Sequence, residues 1–383
     1  MPRRLAAILV GCLVALGVAG GSAAAVGSAP AVEAEAALVA TRSGEILHEL
    51  DGGERLPMAS ITKLMTALVA LDELRPRRVV AVSPAAVGVE GSSIFLRAGE
   101  RVSVRDLLAA ALVQSANDAA YALAAATTRG DVSAFVERMN EKADELGLED
   151  THFANPTGLD ATGHYSSARD VLALARAAMR EPIVRRLVAR RGGEAAGRSL
   201  YAWNDLLRTY PGTFGVKTGH TNGAGWCQVA VARRDGTVVY AVVLGGPTRA
   251  TRNADLAELL TFGFEHFGRL TLVEAGATYA SASVPFEEET VPLVAGDGAR
   301  ALVRIDRPLG RRVVAPLALD APVERGDRVG SIRVTQAGEV VAEVPLVASR
   351  DVEEPSFGRR VSWYAGRAVE EAGDLIGAIV PGL

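Results

Sequence analysis

A serine and a lysine three residues apart are the first groups along the chain that could carry out chemistry. Ser60 and Lys63 lie at the start of an apolar stretch, 57–74, whose pattern predicts a helix. Residues three apart share one face of a helix, so the Lys63 amine can reach the Ser60 hydroxyl. A serine hydroxyl is a weak nucleophile until a base activates it, and lysine becomes a base when burial or another cation lowers its pKa. The spacing therefore predicts a nucleophilic serine, although such a pair alone is common in unrelated chains.

A second pair, Ser115 and Asn117, interrupts a stretch from Val104 to Thr127 that otherwise reads as helical. From a loop between two helices, both side chains can face one cleft. The serine could pass on a proton, and the amide could bind a substrate carbonyl. The same residue types commonly cap helices, and this pair taken alone favours a cap.

Lys217, Thr218 and Gly219 form a third motif at the end of a predicted strand. The lysine and the threonine offer donors to a carboxylate, and glycine lets a substrate backbone approach the strand closely. The alternative is a strand end with a solvated lysine. Lysine is rare here: of 41 lysines and arginines, only Lys63, Lys142 and Lys217 are lysines. Because an ammonium can lose its proton and a guanidinium effectively cannot, two lysines within candidate motifs indicate proton transfer.

The three motifs in this order resemble those of the low-molecular-mass penicillin-binding proteins, the D-alanyl-D-alanine carboxypeptidases of serine peptidase family S11. The resemblance extends from residue 36 to residue 268. The matching segments are 57–68 (PMASITKLMTAL), 115–120 (SANDAA), 139–143 (MNEKA), 155–160 (NPTGLD), 164–170 (HYSSARD) and 215–221 (GVKTGHT). It implies a β-lactamase/transpeptidase-like catalytic domain.

The resemblance implies a catalytic role for each motif. Ser60 would attack the carbonyl of a D-alanyl-D-alanine peptide, and Lys63 would take its proton. Ser115, with Lys217 nearby, would pass a proton to the leaving D-alanine. The implied partners are peptidoglycan stem peptides and β-lactam antibiotics that acylate Ser60, and no metal or organic cofactor is implied.

The resemblance also implies a set of substrate-binding groups. Asn117 would hold the peptide, and the backbone N–H groups of Ser60 and His220 would form the oxyanion hole. Thr218 and Arg252 would bind the terminal carboxylate, for which the forked guanidinium is well shaped. Gly219 would leave room for the substrate along the strand.

Three other activities compete with this interpretation. A D,D-endopeptidase would cut peptidoglycan cross-links with the same groups. A class A serine β-lactamase would carry a glutamate in a Glu-x-x-Leu-Asn stretch, and this chain contains no Leu-Asn dipeptide. A non-catalytic wall-binding scaffold would lack at least one motif residue, and none is missing.

The composition indicates a folded protein without a nucleic-acid partner. Hydrophobic residues make up 49% and charged residues 22%, and the formal net charge of −4 comes without a basic stripe. Five histidines without an HExxH motif disfavour a zinc peptidase. If an N-terminal signal is removed, Cys227 is the only cysteine left, so no intrachain disulfide is expected.

The N-terminus predicts a signal peptide over residues 1–29. Arg3 and Arg4 precede an apolar run, 5–18, and small residues follow. The alternatives are an uncleaved anchor and a lipoprotein signal at Cys12. A signal peptide predicts an extracytoplasmic protein, and the C-terminal segment described below would hold it peripherally on the outer face of the cytoplasmic membrane.

The hydrophobic pattern predicts an α+β fold with two domains. Residues 30–268 would form the catalytic domain, an antiparallel sheet covered by helices, and 270–350 a small all-β domain. The strands expected in the first domain are 36–40, 45–50, 214–218, 228–232 and 238–244. The helices expected there are 57–74, 104–127 with a break at 115–117, 132–146, 167–179 and 253–267. Strands expected in the second are 301–305, 313–319, 331–334 and 339–347.

The C-terminal segment, 356–383, is predicted to be an amphipathic helix. Val361, Tyr364, Leu375 and Ile379 fall on one face, with charged residues opposite. Such a helix can lie in a membrane interface. The alternative is a helix docked on the protein itself.

Overall fold

The computed structural model describes residues 28–365, which divide into two compact units at Glu265 and His266. All but the last two residues of the predicted signal peptide, and most of the predicted tail helix, lie outside the described residues. No helix within 28–365 is long and apolar enough to cross a membrane.

The first unit is built on a five-stranded antiparallel sheet in the order β2-β1-β9-β8-β7. Its strands are β1 (Ala36–Thr41), β2 (Ile46–Leu50), β3 (Val79–Ala81), β4 (Arg101–Ser103), β5 (Gly192–Ala195), β6 (Arg198–Tyr201), β7 (Thr213–Thr221), β8 (Gly225–Arg234) and β9 (Thr237–Gly246). Its helices are α1 (Lys63–Glu73), α2 (Val104–Ala109), α3 (Asn117–Thr127), α4 (Val132–Glu145), α5 (Ala168–Ala178), α6 (Pro182–Val188), α7 (Leu206–Thr209) and α8 (Arg249–Glu265). The predicted α+β architecture is confirmed; the pairs β3–β4 and β5–β6 form separate hairpin-like sheets.

Helices cover both faces of the large sheet, and this explains why β9 is buried along nearly its whole length. Alternate residues of a strand point to opposite faces. Leu38 and Val242 therefore belong to the core that includes residues of α1 and α5. Their neighbours on the other face, Val39 and Val239, lie against Gly263 of α8.

The serine of the first motif does not lie within regular α-helix. A short 3-10 turn, Ala59–Thr62, precedes α1, which begins at Lys63. Ala59 has a φ of 48°, in the left-handed region that non-glycine residues rarely adopt. The expected helix over 57–74 is therefore shorter at its start, and Ser60 occupies the turn that leads into it.

The break predicted at 115–117 is confirmed. α2 continues into one π-helical turn, Ala110–Gln114, which ends at Ser115 with a φ of 67°. α3 then begins at Asn117. The π-turn and the left-handed residue redirect the chain between two buried helices, and Ser115 is left at the point where they separate.

The bounds of α8 differ from the prediction of a helix over 253–267. The Thr248 hydroxyl accepts a hydrogen bond from the Thr251 N–H at 3.0 Å, so the helix is capped by threonine and begins at Arg249. It ends at Glu265 because Phe267 already belongs to the next strand. This earlier start brings Arg252 inside the first turn of the helix.

Apart from the helical residues 357–365, the described part of the second unit is all-β, as predicted. Its strands are β10 (Phe267–Val273), β11 (Thr278–Ala282), β12 (Val291–Ala295), β13 (Ala299–Arg304), β14 (Leu309–Val314), β15 (Arg328–Gln336) and β16 (Glu339–Ala348). Five form one sheet in the order β11-β12-β16-β15-β14, and β10 pairs with β13. The expected strand 313–319 was placed too late, because β14 pairs with β15 from Leu309 to Val314 and Pro316 follows.

Gly263 is predicted to control how closely α8 approaches the sheet. A Cβ at this position would lie 2.6 Å from Val239 Cγ1 and 2.8 Å from Val39 Cγ2. We expect Gly263→Val to lower the free energy of unfolding by about 1–3 kcal/mol, since overpacking a filled core costs this much. Urea denaturation measures the change. Gly53→Val is the control, because a Cβ there meets nothing nearer than 3.5 Å; equal losses in both variants would contradict the packing argument.

Candidate active site

Ser60 and Lys63 are in direct contact. Lys63 Nζ donates to Ser60 Oγ at 2.8 Å and to the backbone oxygen of Thr157 at 2.5 Å. The lysine side chain is fully buried. This burial, together with the nearby charge of Lys217, holds the pKa of Lys63 well below its usual 10.5. A lysine so placed can be a neutral base beside the hydroxyl that it must deprotonate.

Two glycines clamp the backbone that presents Ser60. A Cβ on Gly158 would lie 2.0 Å from the Ala59 oxygen, and a Cβ on Gly219 would lie 3.0 Å from the Ser60 nitrogen. Gly158 also has a φ of 87°. Glycine is thus required at Gly219 by the nucleophile's own turn. The space beside Gly219, predicted from the sequence to admit a substrate, is thus occupied by the backbone of residues 58–60.

A buried histidine, His164, stabilises the same turn through hydrogen bonds. Burial, followed by the charge of His152, lowers the pKa of His164 to about 4, so the ring is neutral at pH 7. Its Nδ1 accepts from the Ala154 N–H at 3.0 Å, which leaves Nε2 to donate to Thr62 Oγ1 at 2.8 Å. The Thr62 hydroxyl in turn donates to the Ala59 oxygen at 2.8 Å. This relay fixes the residue immediately before the nucleophile.

Ser115 and Lys217 form a second serine–lysine pair. Lys217 Nζ donates to Ser115 Oγ at 2.9 Å and to the Thr218 backbone oxygen at 2.8 Å. Lys217 is also fully enclosed, and burial, followed by the charge of Arg252, lowers its pKa to about 7. At neutral pH this lysine can therefore both give and take a proton through Ser115.

Asn117 is held by the loop that faces it. Its Nδ2 donates to the Glu90 oxygen at 2.5 Å, and its backbone N–H donates to the Ser92 oxygen at 2.6 Å. The Asn117 Oδ1 atom is buried and has no hydrogen-bond partner within residues 28–365. An acceptor in this state suits a substrate N–H. The adjacent Asp118 fixes the loop by accepting from the Ile94 and Leu96 N–H groups.

Arg252 supplies a fixed positive charge at one end of the site. Burial lowers its pKa to about 10, so it stays charged at neutral pH. Its Nε and Nη2 donate to Asn253 Oδ1 at 3.2 and 2.7 Å. The guanidinium also lies 5.6 Å from the ring centroid of Trp226. Its closest acceptor is a neutral amide, and the nearest carboxylate, Asp205, lies 3.8 Å from Arg252 Nη2, beyond hydrogen-bond distance, so the guanidinium can still bind a substrate carboxylate.

The residues proposed from the sequence meet around one cavity of ≈ 270 Å³. Those that line it are Ser60, Ser115, Asn117, Thr218, Gly219, His220 and Arg252. Lys63 and Lys217 lie behind this surface, each reaching the cavity through its serine. The positions of Ser60 and His220 on the wall are compatible with the expected oxyanion hole.

Several groups of the site were not predicted from the sequence. Thr157 acts through its backbone oxygen, which no side-chain pattern reveals. His164 lay within a matching segment but received no role. The wall residues Trp203 and Arg249 were not recognised at all, because their place in the site depends on the contacts of α8.

A serine–lysine nucleophile beside the edge strand of an antiparallel, helix-covered sheet defines a serine acyl-transfer enzyme with a β-lactamase-like fold. The chain belongs to the D-alanyl-D-alanine carboxypeptidase family, peptidase S11, whose profile matches residues 23–248. Residues 267–354 match the C-terminal domain of penicillin-binding protein 5. The expected family membership is thereby confirmed.

Individual relatives agree with this assignment. The chain is 32% identical over 340 residues to the D-alanyl-D-alanine carboxypeptidase DacF of Bacillus subtilis (strain 168), covering 85% of this chain and 87% of DacF. It is 33% identical over 358 residues to DacC of Escherichia coli (strain K12), covering 87% and 88%. The structure of penicillin binding protein 5 from Haemophilus influenzae superposes with a TM-score of 0.62 at 29% identity, covering 86% of this chain and all of that one.

Lys63→Arg tests whether this position must lose a proton. An arginine keeps the charge but cannot serve as a base, and general-base catalysis typically contributes about 10²–10⁴-fold. We expect the rate of penicillin acylation to fall by at least about 100-fold in a folded variant. The wild-type rate should rise with pH through the pKa of Lys63 and level off well below 10.5, because the active form is deprotonated and burial lowers that pKa.

Lys142→Arg is the matched control. This lysine forms surface ion pairs with Asp72 and Glu145 at 2.9 and 2.7 Å, so charge alone should suffice there. Stopped-flow acylation against pH, with circular dichroism to verify folding, provides the measurement. A folded Lys63→Arg protein within about tenfold of the wild-type rate would remove lysine from the role of base.

Proposed function

We infer that this protein is a serine-type D-alanyl-D-alanine carboxypeptidase that removes the terminal D-alanine from peptidoglycan stem pentapeptides through an acyl-enzyme on Ser60. One observation carries the inference: two buried lysines each contact a serine on the wall of the same cavity. Arg252 lines the same cavity and supplies a positive charge to which a free C-terminal carboxylate would bind.

Acylation starts at the Ser60 hydroxyl. Neutral Lys63 takes the proton while Ser60 Oγ bonds to the carbonyl carbon of the penultimate D-alanine, and the carbonyl electrons move onto oxygen. When the C=O bond re-forms, the C–N bond breaks. The leaving amine takes a proton from Ser115, which is replenished by the charged form of Lys217.

Hydrolysis returns both lysines to their starting states. Water gives a proton through Ser115 to the now neutral Lys217 and attacks the ester carbon. The Ser60–carbon bond then breaks, and Ser60 Oγ recovers its proton from Lys63. The pKa of Lys217, about 7, suits a group that must be charged in one step and neutral in the next.

Substrate binding would use a charged group for the terminal carboxylate and a neutral acceptor for the peptide backbone. The terminal carboxylate of the peptide would meet Arg252 and the Thr218 hydroxyl, which both face the cavity. The peptide N–H would donate to Asn117 Oδ1. A β-lactam carries a carboxylate beside its reactive amide and would occupy the same groups, so it would acylate Ser60 in place of the substrate.

The nucleophile is tested with a pentapeptide substrate and a labelled penicillin. We expect mass spectrometry to show the loss of one D-alanine, and the penicillin label to map to the peptide carrying Ser60. Ser60→Ala should abolish both signals, whereas Ser133→Ala, at an exposed serine, should abolish neither. Labelling of Ser60→Ala at the wild-type rate, or rapid turnover of penicillin, would count against the assignment.

The chain is also proposed to act outside the cytoplasm, on the outer face of the membrane. Support comes from the signal-peptide pattern of residues 1–29 and from the start of the tail helix. Residues 357–365 are helical. Phe357, Val361 and Tyr364 recur with helical spacing, and their exposed fractions are 83%, 52% and 66%. An exposed apolar stripe of this kind suits a membrane interface.

Deleting residues 357–383 should release the mature protein from membranes and leave its penicillin acylation intact. Val361→Glu should weaken binding to vesicles of anionic phospholipid, because it places a charge on the apolar face. Arg360→Gln makes the same change in net charge without replacing an apolar side chain, and is the control for simple charge loss. Retention of the truncated protein in the membrane fraction after signal removal would place the anchor elsewhere. Unchanged vesicle binding by Val361→Glu would favour a helix docked on the protein.

A further inference from the structure

One wall of the active-site cavity connects the proton donor to the carboxylate-binding end. Trp203 Nε1 donates at 3.1 Å to the backbone oxygen of Gln114, the residue before Ser115. On its other side, Trp203 lies 5.4 Å from the Arg249 guanidinium, measured to the ring centroid. Trp203 and Arg249 both line the cavity.

The wall continues from Arg249 to Arg252 through a carboxylate. Arg249 donates twice to Asp205, at 2.7 and 2.6 Å, and Asn253 donates to the same carboxylate at 2.9 Å. Asp205 in turn lies 3.8 Å from Arg252 Nη2. A continuous row of contacts therefore links Ser115 to Arg252.

The two ends of this row identify the part of the substrate that it faces. Ser115 protonates the leaving amine, and Arg252 holds the leaving residue's carboxylate. The Cα of the leaving residue would therefore lie between them, and its side chain would project beside this row, where Trp203 and Arg249 line the cavity. In a stem pentapeptide that side chain is the methyl group of D-alanine. In a cross-linked dimer the leaving group is a branched residue of a second stem peptide.

The wall is held on several sides. The Trp203 ring packs edge-on against Tyr201 at 5.3 Å between centroids, in addition to its contacts with Gln114 and Arg249. Arg249 cannot swing away without breaking two charged hydrogen bonds. A leaving group larger than alanine would consequently clash with side chains that cannot easily move aside.

We propose that Trp203 and Arg249 determine specificity by limiting the leaving-residue position to D-alanine, which favours trimming of free stem peptides over cleavage of cross-links. The inference rests on the proposed carboxypeptidase function and adds to it a preference between two substrates that share the same catalytic groups.

Trp203→Ala tests the wall, with cleavage of a cross-linked dimer and of a pentapeptide both followed by mass spectrometry. The ratio of the two kcat/KM values should rise at least about tenfold, since one methylene in a tight pocket changes specificity about 10–200-fold. Trp203→Phe keeps an aromatic wall and should restore most of the wild-type ratio. Phe95→Ala removes an aromatic that is 82% exposed and does not line the cavity, and should leave the ratio unchanged.

A substrate series on the wild-type enzyme removes any dependence on the folding of the variant. In acyl-D-alanyl-D-Xaa peptides, kcat/KM should fall at least about tenfold when the last side chain grows from methyl to a linear four-carbon chain. A flat series, an unchanged ratio in Trp203→Ala, or wild-type cleavage of the dimer as fast as the pentapeptide would overturn the proposal. Failure of the wild-type enzyme on every peptide, with no penicillin adduct on Ser60, would instead overturn the carboxypeptidase function.

Discussion

The burial of two ammonium groups behind one cavity is the constraint on which the rest of the site depends. A charged amine removed from water is costly, and a second positive charge nearby adds to the cost. The effects run in one direction: the charge of Arg252 lowers the pKa of Lys217, and the charge of Lys217 lowers that of Lys63. Arg252 stays charged at neutral pH, whereas burial and the Arg252 charge bring the pKa of Lys217 to about 7. Burial and the order Arg252, Lys217, Lys63 thus determine the three roles. Arg252 is the fixed cation, Lys217 the proton carrier and Lys63 the base.

Such a site works only if the serines are held where the amines can reach them, and the backbone provides this. Ala59 and Ser115 both adopt left-handed conformations, one beside the nucleophile and one at the proton-carrying serine. Strained residues persist where their surroundings hold them firmly. Around Ala59 these surroundings are the Gly158 and Gly219 backbones and the hydrogen-bond relay from His164. Fixed serines spare the enzyme the reorganisation that a flexible nucleophile would require.

Most of what could be predicted from the sequence came from residue types and local patterns. The hydrophobic spacing indicated the α+β class and the break at Ser115, because these depend on neighbours within one turn or strand. It could not indicate that the Thr157 backbone oxygen binds Lys63, since a carbonyl has no sequence signature. Nor could it show that Gly219 faces the nucleophile's turn, which is a contact between distant segments. The misplaced β14 has a related cause: its bounds follow from pairing with β15, not from its own composition.

The contacts among Arg249, Asp205 and Arg252 affect how Arg252 can bind a substrate. Arg252 can attract a substrate carboxylate only if no protein carboxylate already neutralises it, yet Asp205 lies 3.8 Å away. Burial alone would raise the pKa of Asp205, but hydrogen bonds from Arg249 and Asn253 hold it below its usual value, so this carboxylate is ionised. Arg249 donates to both of its oxygens, and within residues 28–365 the hydrogen bonds of the Arg252 side chain go to the neutral oxygen of Asn253. Arg249 therefore does more than fill space. By engaging Asp205, it leaves Arg252 free to bind the carboxylate that distinguishes a chain end from a peptide interior.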